Sequence, residues 1–466
     1  MRALGGKDMQ SRFPWPKLDT IYLWMVAPLI LAMVYILPPF QAPDEAAHFY
    51  RAVQISHGQF RPAIAPPTYR QGAGGSVDTA AYQLVDRYCG MPNWNCARQD
   101  RPTLAALAAG SPPGPLQTVS FSNTVVYLPI AHVVPAVGIA IARAAGLNPL
   151  AWLYAGRVVA ALFAIAMSWL ALRLLRDHSA SALVFAVAAL PMVSSISPTL
   201  CADSGVVSCS LLLFALCATL LEGSPFGWQL GLALVVAVFY ASAAKLAYLP
   251  LALLPLGCAI SGRRSRTVVI TTALVALCAI GTTLLWSSAI REYVFPISQD
   301  LKVDPEGQLV YIRGHPIAFA LTIGKSMIVQ APFAAITLIG RKLSDLRVLL
   351  PWAVVAMSAV TLAAGAITSG SRRVRLPLHL FAFVIVAGCA AATFLFLYVQ
   401  NSAVGSTRVE AYQGRYLIPL LPFLAFVVPP VRPLESIRVA ARSWVGFGGT
   451  LATISVALFL AVRTWG

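Results

Sequence analysis

Apolar stretches long enough to cross a bilayer recur along almost the whole chain, each closed by a polar or basic break, and nothing else limits the fold as strongly. A spanning helix needs about 20 largely apolar residues. Such stretches lie at 21–40, 151–172, 181–199, 204–222, 227–243, 246–261, 268–289, 348–368, 377–399, 415–430 and 444–462. Residues 123–145 and 317–340 are also long enough. The first carries Pro129, His132 and Pro135, and the second Lys325 and Pro332, which suits half-inserted or interfacial helices. The expected fold is an all-α polytopic membrane protein of about 11 spans, or up to 13 if both of these stretches cross. Composition agrees: 58% of the 466 residues are hydrophobic and 11% charged, where soluble domains have about 45–50% and about 25%.

In a soluble protein the net charge of +17 would suggest nucleic acid. Here there is no separate basic domain, so the expected surroundings are membrane lipids and no nucleic-acid partner is expected. The basic residues punctuate short loops: Arg173 and Arg176; Arg263, Arg264 and Arg266; Arg372, Arg373 and Arg375; Arg432, Arg438 and Arg442. All four groups are cytoplasmic under the eleven-span count, as the positive-inside rule asks. Arg2, Lys7, Arg12 and Lys17 precede the first run, which is too long for a signal-peptide core and has no small-x-small cleavage site after it. It reads as an uncleaved first helix with a cytoplasmic N-terminus. The chain is then one integral membrane domain over 1–466. Its outer-face loops lie at 41–122, 290–316 and 400–414, and no soluble C-terminal domain is expected.

Six of the eight cysteines lie in apolar helices as small hydrophobes. Cys89 and Cys96 instead bracket "CGMPNWNC" in the first loop. Zinc is the rival reading, but no His or second Cys pair is near enough to complete four ligands. If the loop is extracytoplasmic, a disulfide is expected.

Few ionisable residues remain at the membrane boundaries, and on this count they converge on one side. Asp44, Glu45, His48 and Arg51 follow the first span, in "LPPFQAPDEAAHFYRA". Arg157 lies near the outer end of the second span, Asp203 in "SPTLCADSG", Lys245 in "ASAAKLAYLP", and Glu410, Gln413, Arg415 and Tyr416 in "RVEAYQGRYLIP". Ionisable groups at such depth are expensive and mark pathways or sites. Each also has a plainer reading. Lys245 and Arg157 can snorkel to headgroups, Asp203 and Glu45 can cap helices, and His57 reads as a solvated loop residue. The clustering of carboxylates with cations on one leaflet favours function over these.

"PPFQAPDEAAHFYRA" after the first span, with "AYQGRYLIPLLP" before a late one, resembles a bacterial family of predicted membrane proteins. "SNTVVYLPIAHVV", "LYAGRVVAAL" and Asp203 fit the same pattern over most of the chain. That family looks related to the GT-C glycosyltransferases. The resemblance implies a GT-C-like fold and an inverting transferase of the bacterial cytoplasmic (inner) membrane. Its site would face the periplasm or exterior and serve cell-envelope glycan or lipid glycosylation. The donor would be a polyprenyl-phosphate-linked sugar and the acceptor a glycan, lipid or protein.

That chemistry needs a carboxylate to take the proton of the attacking hydroxyl and cations for the departing phosphate. Asp44 is the expected base, with Glu45 its alternative or an orienting neighbour. Arg415, Lys245 and Arg51 or Arg157 are the expected phosphate clamp, with His48, Asp203, Glu410, Gln413 and Tyr416 as further binding residues. Asp44, Glu45 and Asp203 are also the residues that would hold Mg2+ or Mn2+. No other cofactor is expected. Trp94, Tyr82 and Tyr127 are aromatic candidates for stacking on sugar, or else belt and packing residues. The rival class is a transporter or flippase for a lipid-linked or anionic substrate, which would string charges across both leaflets. A non-catalytic assembly protein would leave the convergent charges unexplained.

Overall fold

Seven helices are long and apolar enough to cross a membrane in the computed structural model, which describes residues 17–66, 72–90, 96, 105–106, 109, 114–297, 302–343, 348–369, 375–428 and 435–465. Arg2, Lys7, Arg12, Trp94, Arg372, Arg373 and Arg432 lie outside the described residues. In chain order the helices used below are α1 (Leu18–Ile36), α2 (Glu45–Ser56), α3 (Thr79–Cys89), α4 (Ile130–Ala144), α5 (Pro149–Leu174), α6 (Ser181–Ala188) and α7 (Pro191–Ile196). They continue with α8 (Ala202–Glu222), α9 (Trp228–Ala243), α10 (Leu246–Ser261), α11 (Arg266–Ala289), α12 (Pro305–Gly314) and α13 (Pro316–Ile339). The last four are α14 (Trp352–Thr368), α15 (Leu376–Asn401), α16 (Gly414–Val427) and α17 (Glu435–Trp465).

The chain is thus a polytopic membrane protein, but the span count departs from the expected eleven. The long apolar helices are α1, α5, α8, α11, α13, α15 and α17, while α4, α9, α10, α14 and α16 are shorter apolar helices. Proline explains several differences, because it cannot donate the backbone bond that continues a helix. Residues 181–199 are not one span: the chain breaks before Pro191 into α6 and α7, both wholly buried. α10 and α16 each begin as a tighter 3-10 helix, with Pro250 in the first and Pro419 and Pro422 in the second. Residues 317–340 form the continuous 24-residue α13 in spite of Pro332, and so are a candidate span rather than a half-inserted segment. Residues 123–145 yield a short helical turn ending at Val125 and then the 15-residue α4.

α8 carries apolar residues on every side, with only small hydroxyls and Asp203 among its buried polar groups, and is the most enclosed of the seven, as such a helix must be. α4 crosses α5 with backbones in contact: a Cβ on Gly138 would lie 2.4 Å from the Ala155 carbonyl oxygen. Small residues permit this approach between membrane helices.

The first loop corrects the all-α expectation. Strands β1 (Ala63–Ala65), β2 (Gly72–Asp78) and β3 (Leu116–Ser120) form an antiparallel sheet with β2 central, Gly74 facing both Ala63 and Ser120. β4 (Lys342–Leu343) and β5 (Val348–Leu349) make a second small ladder. The three-stranded sheet, α2 and α3 pack with one side of α4 and α5 around a second core that includes Phe49, Val77, Val85, Phe121, Ile139 and Trp152, and Cys89 is disulfide-bonded to Cys96. His57 is not a solvated loop residue. It bridges Asp78 (2.7 Å) and Arg143 (2.9 Å), joining the sheet to the end of α4.

Candidate functional site: a charged cavity between the loop lobe and the helices

α1 ends where Pro38 and Pro39 follow it, leaving carbonyls with no helical partner. Arg157 reaches them from α5. Its Nη1 donates to the carbonyls of Val34 (3.1 Å) and Leu37 (2.6 Å), and its Nη2 to that of Pro38 (2.9 Å). Nε and Nη2 also hold both oxygens of Glu45, the former at 2.8 Å. Both side chains are fully buried, and Glu45 accepts further from the Leu200 amide at 3.4 Å. This pair fastens the end of α1 to the start of α2. Glu45, expected as a base or cation ligand, and Arg157, expected in a phosphate clamp, are thus engaged with each other, and neither lines the cavity described below.

Asp44, one residue earlier, behaves differently. Its backbone is left-handed (φ 56°), and although it stands at the cap of α2 its carboxylate makes no cap bond. A non-glycine residue in that region is uncommon, Asp being among the better tolerated, and such conformations gather at functional sites. The side chain is 48% exposed. It accepts from Arg415 Nη2 at 3.3 Å and from Asn123 Nδ2 at 3.5 Å.

The second wall is built by residues 409–416. Ser326, Gln330 and Thr337 on one face of α13 bond the backbone of Val409 (3.0 and 2.9 Å) and Gly414 (2.8 Å). A Cβ on Gly414 would sit 1.8 Å from the Ala334 carbonyl oxygen, so only glycine fits there. Ala411 also has a positive φ, 57°. Held this way, Gln413, Arg415 and Tyr416 line the cavity. Gly414→Ala is expected to push this wall off α13 at a cost of about 1–3 kcal/mol, seen as a lower melting temperature in detergent. A melting temperature equal to wild type would show that the contact is not restrictive.

Asp44, His48, Lys245, Gln413, Arg415 and Tyr416 line one cavity of about 370 Å³, within the usual range for a small-molecule site of about 300–1,000 Å³. Lys245, between α9 and α10, pairs with the buried Asp203. Its ammonium lies 5.4 Å from the ring centre of Tyr127 and 5.9 Å from that of Tyr416. Burial disfavours the charge on Lys245, but the Asp203 carboxylate together with Tyr127, Tyr248 and Cys201 outweighs it, and the pKa stands well above its ordinary value. Arg415 is 4% exposed in its side chain, with Nη2 also 3.3 Å from the Tyr416 hydroxyl. Its Nε and Nη1 are buried without a hydrogen-bond partner. Unused N–H groups on a planar guanidinium suit an oxyanion, and since both nitrogens are enclosed, an oxyanion reaches them only when the side chain or its neighbours shift.

The other expected residues lie elsewhere. Asp203 reaches the cavity only through Lys245. Arg51 is buried 6.0 Å from the ring centre of Trp286 and donates to Gln54 at 2.5 Å, its pKa lowered by burial to about 9. Glu410 faces outward, 3.8 Å from Arg408. Tyr82 packs against the core of the loop lobe, whereas Tyr127 does line the cavity. Asp44, Glu45 and Asp203 do not gather: Arg157 holds Glu45 and Lys245 holds Asp203. Among the described residues no three His, Cys, Asp or Glu side chains converge on a metal position. The carboxylate set does not fit a Mg2+ or Mn2+ cage.

Sequence reasoning passed over Asn123, Trp286 and Gln400, which also line the cavity. Asn123 is the polar residue before an apolar run, a signal that was there to use. Trp286 and Gln400 look like ordinary span-end residues.

Fold and cavity together define a polytopic membrane protein with a charged pocket between an α/β lobe and its helices. The chain belongs to the family described as Predicted membrane protein (DUF2142), whose sequence pattern matches residues 29–424. No curated protein and no solved structure matches it.

Proposed function

We propose that this protein is an inverting glycosyltransferase of GT-C type, moving a sugar from a polyprenyl-phosphate donor to an acceptor hydroxyl. The observation that carries this reading is the contact, in the wall of one cavity, of a half-exposed carboxylate with a guanidinium that has unused donors. The acceptor oxygen attacks C1 of the sugar and its proton passes to Asp44. The C1–O bond to phosphate breaks with its electron pair on the phosphate oxygen. Arg415 and Lys245 stabilise that charge as it develops. One displacement with no covalent sugar–enzyme intermediate inverts the anomeric centre. Apolar helix surface beside the cavity suits a polyprenyl tail. The site is assigned to the periplasmic or exterior face of the bacterial cytoplasmic membrane, and the Cys89–Cys96 disulfide in the adjoining lobe supports that side, since disulfides persist in oxidising compartments.

The test is transfer by the purified protein in lipid, offered a panel of polyprenyl-phosphate sugars with glycan, lipid and protein acceptors. The expected result is free polyprenyl phosphate formed in step with a glycosylated acceptor of inverted configuration. Movement of intact donor across the bilayer without cleavage would instead establish the transporter reading.

A further inference from the structure

A ring pair that the transfer chemistry above does not use runs from the cavity wall into the interior. His48 Nδ1 and His132 Nε2 are 2.7 Å apart, with ring centres at 5.0 Å, and Tyr127 stacks on both rings. Both histidines are buried, and His132 Nδ1 is enclosed with no hydrogen-bond partner. Because His48 Nδ1 is engaged by His132, Nε2 is the nitrogen His48 has left for the cavity it lines.

One hydrogen bond between two neutral imidazoles admits two proton arrangements. If His48 Nδ1–H donates, His132 carries its own proton on Nδ1, where no acceptor waits, and an orphan N–H is left in the interior. If His132 Nε2–H donates, the orphan is only a lone pair, and His48 carries its proton on Nε2. Orphaned buried N–H groups are rarer than under-satisfied acceptors. The positive charges of Arg51 and Lys245 also act on the His132 ring, and they favour a lone pair there over an N–H. Burial lowers the His48 pKa to about 4, Lys245 and Arg415 acting in the same direction and Asp44 and Asp203 against it, so the ring is neutral at physiological pH.

We propose that His132 is a positioning residue that holds His48 in its Nε2–H tautomer and so equips the cavity with a fixed, neutral N–H donor. Such a donor suits a hydroxyl or phosphate oxygen of the substrate. A ring protonated at Nε2 cannot accept there, so His48 is no rival to Asp44 for the acceptor's proton. The use of this donor on substrate rests on the transfer reading, but the tautomer does not.

The chain has 6 histidines, so 15N spectra of the full protein in lipid, labelled at histidine alone, can be assigned by single substitutions. Wild-type His48 is expected to show the Nε2–H signature from about pH 6 to about pH 8. His132→Phe is expected to convert it to a mixture with Nδ1–H, while His132→Gln, whose amide N–H can replace the lost donor, retains it. A wild-type His48 protonated on Nδ1, or a tautomer that His132→Phe leaves unmoved, overturns the proposal. If His132→Phe does not fold, the wild-type spectrum still decides between the two tautomers. The readout needs no substrate, so the expected tautomer together with no sugar transfer from any donor would overturn the transfer reading alone.

Discussion

Asp44→Asn is expected to lower sugar transfer by about 10²–10⁴-fold, the usual worth of a positioned general base, with little change in melting temperature. The side chain is half exposed, makes no cap bond to its helix, and meets the buried Arg415 in a 3.3 Å contact whose hydrogen bond Asn can keep, so the expected cost to folding is small. Asn tolerates the left-handed backbone of this position as Asp does, and its amide oxygen can still accept from Arg415. What Asn lacks is the capacity to take a proton from the acceptor hydroxyl. Donor binding should therefore persist while kcat falls, read by comparing single-turnover transfer with retention of labelled donor on the reconstituted protein. Transfer at the wild-type rate would end the assignment of Asp44 as base.

Arg157→Met is expected to have the largest effect on stability, about 3–5 kcal/mol, because it strands the buried Glu45 carboxylate. It also strips the carbonyls of Val34, Leu37 and Pro38 of their donor. Glu45→Gln keeps the shape of the pair but weakens it and should cost less. Glu45→Leu combined with Arg157→Met removes both charges and should recover part of the loss. Full recovery is not expected, since each bare carbonyl still costs about 1–3 kcal/mol when it has no partner. Thermal unfolding in detergent orders the variants: wild type, then Glu45→Gln, then the double variant, with Arg157→Met lowest. Activity should fall in parallel with stability, because Glu45 opens the helix that carries His48 into the cavity. A melting temperature for Arg157→Met equal to wild type would show that the pair does not hold α1 to α2.

These two expectations concern neighbouring carboxylates, and they mark where sequence reading stops. The motif around 44–51 and the one around 413–416 were both visible as charges at the edge of apolar runs, as was Lys245. Their meeting in one cavity depends on α13 gripping residues 409–414 through Ser326, Gln330 and Thr337. On the sequence, those three residues are ordinary polar positions in a segment that suits a half-inserted or interfacial helix. The seven long helices differ from the eleven expected spans for a related reason. Hydropathy measures how apolar a stretch is, but a wholly buried broken helix such as α6–α7 is as apolar as a helix facing lipid.

From the sequence alone followed the membrane class, the broad run of apolar segments, and the list of charged residues worth testing. Only the tertiary structure decided which of them act together, because a charge's partner comes from a distant part of the chain. Arg157, 112 residues beyond Glu45, takes both of its oxygens into the interior. Asp44, turned the other way by its left-handed backbone, is left half exposed beside Arg415, 371 residues away.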